Sequence, residues 1–480
     1  MKSTHSVGVL TTASIVMMLS GCCSPPDRTP TPGVKVINMI PYAMSSETNQ
    51  DSEPFLAVDS ADLNRMVGTA FTPNPFGSSG NAPVYVTTDG GETWSLNFIV
   101  DSHGFVGTND ITVAGTHNPL RLHSGILRSP GNLLMHLLLT HDFTSPTTMT
   151  LQRNRSSVDQ PFIQAATISS SERVYVGNND FNAADGKTAS VDVSTDGGAT
   201  WRTVRLEPRA TNLQNGPSVR PAVSNDGTVY VAYFGWRGFI NNVATSDIIV
   251  VRDDRGATGP DPFRDLLDPS DNLPGRKVVT NVKIPWSNAP TMGNERIGST
   301  LAIAVHPNNS GIVYVAWADR TGSDIYTLHV RRSTDRGLTW SGDLRTVRNA
   351  TCGSLAVAPN GTVGFLYQQY IPDCQGFWAT HFEQSNDGFQ TREDLILAYT
   401  PSNTPEPQFL PYIGDYNFVV CTGNEFRGVF SASNEPVLDN FPCGVRYQRN
   451  VDFSGERLLS TGGSQVGISI DPFYFSVPVR

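Results

Sequence analysis

From Glu53 to the C-terminus the chain alternates short apolar runs with polar, turn-forming clusters, and no stretch carries the longer period of an amphipathic helix. Val84-Tyr85-Val86, Val174-Tyr175-Val176, Val229-Tyr230-Val231 and Val313-Tyr314-Val315 are β-branched and aromatic runs of strand type. A turn pattern punctuates them. Thr87 to Trp94 reads TTDGGETW, Ser194 to Trp201 STDGGATW and Ser333 to Trp340 STDRGLTW, and Ser385 to Thr391 (SNDGFQT) keeps Ser, Asp387 and Thr without the Gly and Trp. Each copy predicts a tight hairpin. Asp89, Asp196 and Asp335 accept from the turn's own amides, and Gly91, Gly198 and Gly337 supply the positive φ. Trp94, Trp201 and Trp340 resume an extended strand and are large enough to lock one hairpin against its neighbour.

A longer period underlies the turns. Glu53-Pro54-Phe55, Gln160-Pro161-Phe162 and Arg220-Pro221-Ala222 begin similar units, and Ser299 to Val305, Ser354 to Ala358 and Pro411 to Val420 begin three more, with steps of 60 (160 to 220), 55 (299 to 354) and 57 (354 to 411). The interval from 53 to 160 is 107, a double step, and Ile111–Ala114, Leu133–Leu139 and Thr148–Gln152 fill it with a unit that lacks the turn pattern. The interval from 220 to 299 is 79 and holds an insertion, Gly256 to Asn294, rich in Asp, Pro and Gly. Seven units of several strands each predict an all-β fold, a single β-propeller over 51–480 with seven four-stranded blades; six blades is the alternative. Alternating residues in Glu456–Arg480 are expected to complete the first blade and close the ring.

In such a wheel the innermost strands line a central channel, so the unit starts are the candidate ligand site. Glu53, Gln160 and Arg220 occupy matching positions just before Pro, Arg296 precedes the fifth unit, and Asp415-Tyr416 lies near the start of the last. All are expected at one mouth of the channel, with strand-start capping in a wet channel as the plain alternative.

The three full turn copies resemble the Asp-box, or BNR, repeat of the sialidase superfamily. In that family the boxes sit on the outer turns of the blades, and the resemblance supports the propeller. It further implies an exo-α-sialidase type of glycoside hydrolase acting on terminal acidic sugars, in which three arginines hold the substrate carboxylate and Tyr and Asp do the chemistry. Bidentate guanidinium groups suit a carboxylate, and a neutral Tyr nucleophile avoids repulsion from an anionic sugar. On this chain the resemblance nominates Arg220, Arg296 and Arg320 as substrate-binding, with Glu53 and Gln160 beside them, and Tyr416 and Asp415 as catalytic. The first unit carries Ser52-Glu53-Pro54 where the family has Arg-x-Pro. The alternative function is a non-catalytic propeller that binds glycan or protein.

Charge and composition narrow the partners. Across 480 residues the formal charge is −10 and charged residues make up 16%. That balance argues against nucleic acid, which requires a basic excess. The expected partner is a glycan or glycoprotein met by a monomer, with no cofactor and no metal. Val7–Leu19 is an apolar run too short to span a bilayer, and with Ser20-Gly21 it reads as an export signal over 1–21. Leu19-Ser20-Gly21-Cys22 resembles the bacterial lipobox. That resemblance implies acylation of Cys22, a Pro-rich tether over 22–50 and a place in the bacterial cell envelope, with an ordinary cleavable signal as the alternative.

Cys352, Cys374, Cys421 and Cys443 fall in pairs 22 residues apart (352 to 374, 421 to 443). In an exported chain two disulfides, each within one repeat, are expected among three connectivities, with buried free thiols as the alternative. Five of the nine histidines, among them His103 and His123, cluster in one unit without a metal-binding spacing. Asp180–Gly186 reads as an Asx-rich turn rather than a calcium loop.

Overall fold

The computed structural model describes residues 31–71, 84–100, 107–129, 133–211, 218–286, 290–293, 295–372, 376–403 and 413–480. The signal segment, Cys22, His103 and Cys374 lie outside the described residues. The strands form seven four-stranded antiparallel sheets and one small three-stranded sheet. The innermost strands of blades 1 to 7 are Ser52–Val58, Gly107–Gly115, Val158–Ile168, Val219–Val223, Leu301–His306, Ala350–Val357 and Phe418–Thr422. Each packs against the next, and blade 7 returns to blade 1, so the ring is closed. The fold is the seven-bladed β-propeller expected from the repeat count, not the six-bladed alternative.

Local chemistry accounts for the strands. In blade 4, Val229–Ile240 pairs with Val243–Asp253 through Asn241-Asn242, whose φ values of 52° and 62° are those of a two-residue hairpin turn matched to strand twist. Buried apolar residues sort into seven clusters, each spanning the interface between two neighbouring blades. Met135 and Leu137 of blade 2, for example, meet Val158, Ile163 and Val174 of blade 3. No blade buries its own faces, and the core is a set of wedges around the channel.

The recurrent turns hold those wedges. Asp89 accepts from the Thr93 amide at 2.9 Å and from the Thr93 hydroxyl at 2.5 Å, and Asp196, Asp335 and Asp387 repeat the pattern with Thr200, Thr339 and Thr391. Trp94 lies 5.4 Å from Tyr474 of blade 7, and Trp201 and Trp340 pack into the interfaces of blades 2/3 and 4/5. Gly91 has φ 83°, and a Cβ there would stand 2.4 Å from the Tyr474 ring. Only glycine allows that approach. The fourth copy solves the same problem differently: Phe389 takes the glycine position at φ 67° and buries its own ring in the interface of blades 5/6.

Four expectations are corrected. The C-terminal strand Ile470–Pro478 does not complete the first blade; it is the third strand of blade 7, and Lys35–Asn38 supplies the outermost strand. Ring closure is therefore a pairing of the two ends of the fold, and the tether expected over 22–50 gives way to folded chain by Lys35, where Val36 and Ile37 are buried. The insertion expected over 256–294 contains Arg276–Pro285, the fourth strand of blade 4. The disulfides expected at Cys352 and between Cys421 and Cys443 are absent, because all three thiols are free. Cys352 Sγ instead lies 3.0 Å from the Gly414 carbonyl, and Cys443 Sγ 3.3 Å from that of Ile396.

Candidate functional site

The mouth at which the innermost strands begin is built by a repeated backbone irregularity. In blades 1, 2, 3 and 6 the register slips near the strand start, between Ser52 and Phe55, Thr108 and Ile111, Asp159 and Phe162, and Thr351 and Ser354. These are bulges, which re-aim a side chain that the pleat would otherwise send to a blade face. Glu53, Gln160 and Cys352 each take φ 54° there, a left-handed value disfavoured by roughly 1–3 kcal/mol and characteristic of functional sites. Arg220 does not share the bulge: it pairs in regular register with Ala232, and its length alone brings it to the centre.

Six of the seven sequence-derived candidates converge. Asp415 Oδ1 accepts from Arg296 Nε at 2.8 Å, and its Oδ2 accepts from Gln160 Nε2 at 2.9 Å. Arg296 Nη2 lies 3.5 Å from Glu53 Oε1. Arg220 donates to Gln160 Oε1 at 3.5 Å and to the carbonyls of Ser299 and Leu301, and its guanidinium sits 4.3 Å above Phe162 and 5.7 Å from the Tyr416 ring. Phe55, Phe162, Phe418 and Tyr416 close the channel beneath this network with mutual ring contacts. Beyond them a cavity of about 450 Å³ follows the innermost strands toward the opposite end. Arg320 is the exception. It lies on the second strand of blade 5 opposite Tyr326, away from the network.

Sequence reading missed three further carboxyl groups, Asp110, Asp159 and Glu295. Asp110 stands on the bulge of blade 2, the unit without the recurrent turn, where no Pro marks the strand start. Asp159 and Glu295 are immediate chain neighbours of Gln160 and Arg296, and adjacency to a candidate was the available signal. Burial raises the carboxyls of Asp110 and Glu295 well above their ordinary range, and the charges of Glu53 and Asp415 add to it. Burial and Asp415 also raise Asp159, which is only partly enclosed. Arg220 is lowered to about 10 by burial, and burial together with Asp110 and Glu53 keeps Tyr416 a neutral phenol.

The chemistry follows from that inventory. Five carboxyl groups surround two guanidinium groups, and both guanidiniums are already engaged, so no free carboxylate clamp forms among the described residues. What the mouth does contain is a set of carboxyl groups, Asp110, Asp159 and Glu295, whose proton affinity burial raises, near an Asp415 side chain paired with Arg296. Groups whose surroundings push their proton affinities apart are the elements of acid–base work.

No family model matches the chain, and no curated protein sequence matches it. Among solved structures it is similar to a polysaccharide lyase of family 25, an ulvan lyase bound to -[GlcA(1-4)Rha3S]-, at 9% identity and TM-score 0.50, over 82% of this chain and 92% of that one. It is also similar to the Penicillium chrysogenum α-L-arabinanase complexed with arabinobiose, at 10% identity and TM-score 0.46, over 91% and 97%. A third is the phage phi92 endosialidase, at 12% identity and TM-score 0.46, over 93% and 69%. At these identities the likeness is one of fold, a β-propeller, and it rests on the first of the three.

Proposed function

We propose that the chain is a glycan-active propeller, a glycoside hydrolase whose site is the mouth formed by Asp159, Gln160, Arg296 and Asp415. The observation that carries this reading is the pairing of Asp415 with Arg296 at 2.8 Å at the channel mouth, near Asp159, whose proton affinity burial and Asp415 raise. Cleavage of a glycosidic bond needs an acid to protonate the leaving oxygen and negative charge to stabilise the oxocarbenium-like centre. Asp159 supplies the first and Asp415 the second. The resemblance of the turn repeats to Asp boxes supports the same lineage. The engaged guanidiniums favour uncharged sugars over the terminal acidic sugars of an exo-α-sialidase.

A non-catalytic glycan-binding propeller is the second reading, favoured by the enclosure of Tyr416, whose hydroxyl is buried and has no hydrogen-bond partner among the described residues. A panel of fluorogenic glycosides, neutral and acidic, separates the two. Turnover that falls about 10²–10⁴-fold in Asp159→Asn supports hydrolysis. Glycan binding on an array without turnover by the wild type favours the second reading. Neither binding nor turnover ends both.

Export and a lipid anchor at Cys22 belong to the same proposal, supported by the lipobox-like Leu19-Ser20-Gly21-Cys22. Cys22→Ala is expected to move the protein from the detergent to the aqueous phase on partition; unchanged partition contradicts the anchor.

A further inference from the structure

A second cluster of acids lies apart from the mouth, where the two ends of the fold meet. Glu47 and Asp51 stand on the segment that leads from the outermost strand of blade 7 into blade 1. Asp471 is on the C-terminal strand, Ile470–Pro478. All three are buried, with exposures of 4%, 0% and 0%, and one oxygen from each lies within 4.8 Å of the others. One buried cation, Arg449, answers three carboxyl groups: its Nη1 meets Asp471 Oδ2 at 2.8 Å, and its Nη2 is taken up by the carbonyls of Ser45 and Glu47. With all three ionised, the cluster holds a surplus of two negative charges in a dry site, which demands neutralisation by protons or by a cation.

Two further atoms point to what fills it. The Tyr85 hydroxyl is fully buried, has no hydrogen-bond partner among the described residues, and interacts electrostatically with these same three carboxyl groups. Glu47 Oε2 is likewise buried and unpartnered, while Oε1 accepts from the Asn49 amide. Asp471, by contrast, is steadied by Asn38, Asn434 and Arg449, as ligating carboxylates are by the groups behind them.

We propose that Glu47, Asp51 and Asp471, with the Tyr85 hydroxyl beside them, form a calcium site that latches the N-terminal segment to the C-terminal strand and so closes the propeller. The donors are oxygen only, which selects a hard cation over zinc or copper. Calcium–oxygen bonds of about 2.3–2.6 Å allow two ligands on opposite sides of the ion to stand about 4.6–5.2 Å apart, whereas magnesium at about 2.0–2.1 Å requires a tighter cage. The three oxygens all lie within 4.8 Å of one another, close enough for one ion of this size to bridge them. A divalent ion also cancels the surplus charge. The site is distinct from the glycan mouth, and its role is to hold the ring shut.

The test uses the full chain, stripped with chelator and titrated with calcium chloride alone. Calorimetry is expected to show one calcium bound per chain. Thermal unfolding is expected to shift upward by several degrees at a calcium concentration about 100-fold above the dissociation constant, as linkage requires. Magnesium at the same concentration is expected to give a smaller shift. In Asp51→Asn the calcium-dependent shift disappears. If that variant fails to fold, the wild-type calorimetry decides alone. No heat of binding and identical melting in calcium and chelator overturn the proposal, as does an equal response to magnesium. Calcium binding that persists unchanged in a folded Asp51→Asn overturns the assignment to these residues.

Discussion

Asp415 accepts a hydrogen bond from Gln160 at 2.9 Å across 255 residues of chain, joining the last blade to the third over the channel mouth. The bond exists because Gln160 is turned inward by a bulge and because Gly414 lets Asp415 come in from the other side. Gly414 has φ 109°, and a Cβ on it would stand 2.7 Å from the Glu53 amide nitrogen.

Gly414→Ala is therefore expected to lower stability by about 1–3 kcal/mol, through backbone strain and the clash with blade 1, and to weaken glycan turnover with it. Urea unfolding monitored by fluorescence checks the first effect. A stability unchanged within error contradicts the packing described for the mouth.

Asp110 and Glu295 give the mouth a pH signature. Their ordinary values are 3.8 and 4.5, and both are raised in the folded state, chiefly by burial. The folded chain thus keeps protons that the unfolded chain has released. Stability from these groups is fullest below their unfolded values and declines as pH rises from about 4 toward neutrality. Carboxyls of the recurrent turns such as Asp89 and Asp196 run the opposite way, so a comparison isolates the effect: Asp110→Asn is expected to lose less stability than the wild type between about pH 5 and 7. Equal slopes in denaturant titrations contradict it.

The turn repeats predict a contrast between two wedges. Trp94 is 3% exposed and anchors blade 1 against blade 7. Trp94→Ala is expected to cost about 3–5 kcal/mol. Phe389→Gly loses a buried ring but relieves a left-handed backbone at φ 67°, so a net cost about 1 kcal/mol smaller is expected. Paired thermal melts test the order; a Phe389→Gly as damaging as Trp94→Ala removes the claim that Phe389 is held under strain.

Free thiols at Cys352, Cys421 and Cys443 imply indifference to reductant. All three are expected to react with a thiol reagent in denaturant without prior reduction, and dithiothreitol is expected to leave the melting temperature unchanged. A disulfide closing a loop of this size contributes about 3 kcal/mol, so loss of several degrees on reduction speaks against the free thiols.

The blade count and six members of the mouth were legible in the sequence because they are written in local chemistry: Asp-Gly turns, Val-Tyr-Val strands, and a polar residue before Pro at strand starts. What was not legible depends on contacts distant along the chain. Lys35–Asn38 carries no sign that it pairs with Ile470–Pro478, and equal cysteine spacing says nothing of Cβ directions. Asp110 was hidden because its bulge has no Pro, and Arg320 was included although it is Arg296 and Arg220 that reach the centre. Arginines could be counted from the sequence, but the Asp415 and Glu53 carboxylates that occupy Arg296 could not be placed beside it.

The central claim is that Asp159 acts as the acid of a glycosidase mouth, and the pH dependence of kcat/KM on a cleaved glycoside tests it most directly. The wild type is expected to lose activity as pH rises through a value above the ordinary 3.8 of an aspartic acid. Asp159→Asn is expected to retain the fold, lose about 10²–10⁴-fold in rate and lose that alkaline limb. An alkaline limb that survives in Asp159→Asn, with near wild-type rate, contradicts the account.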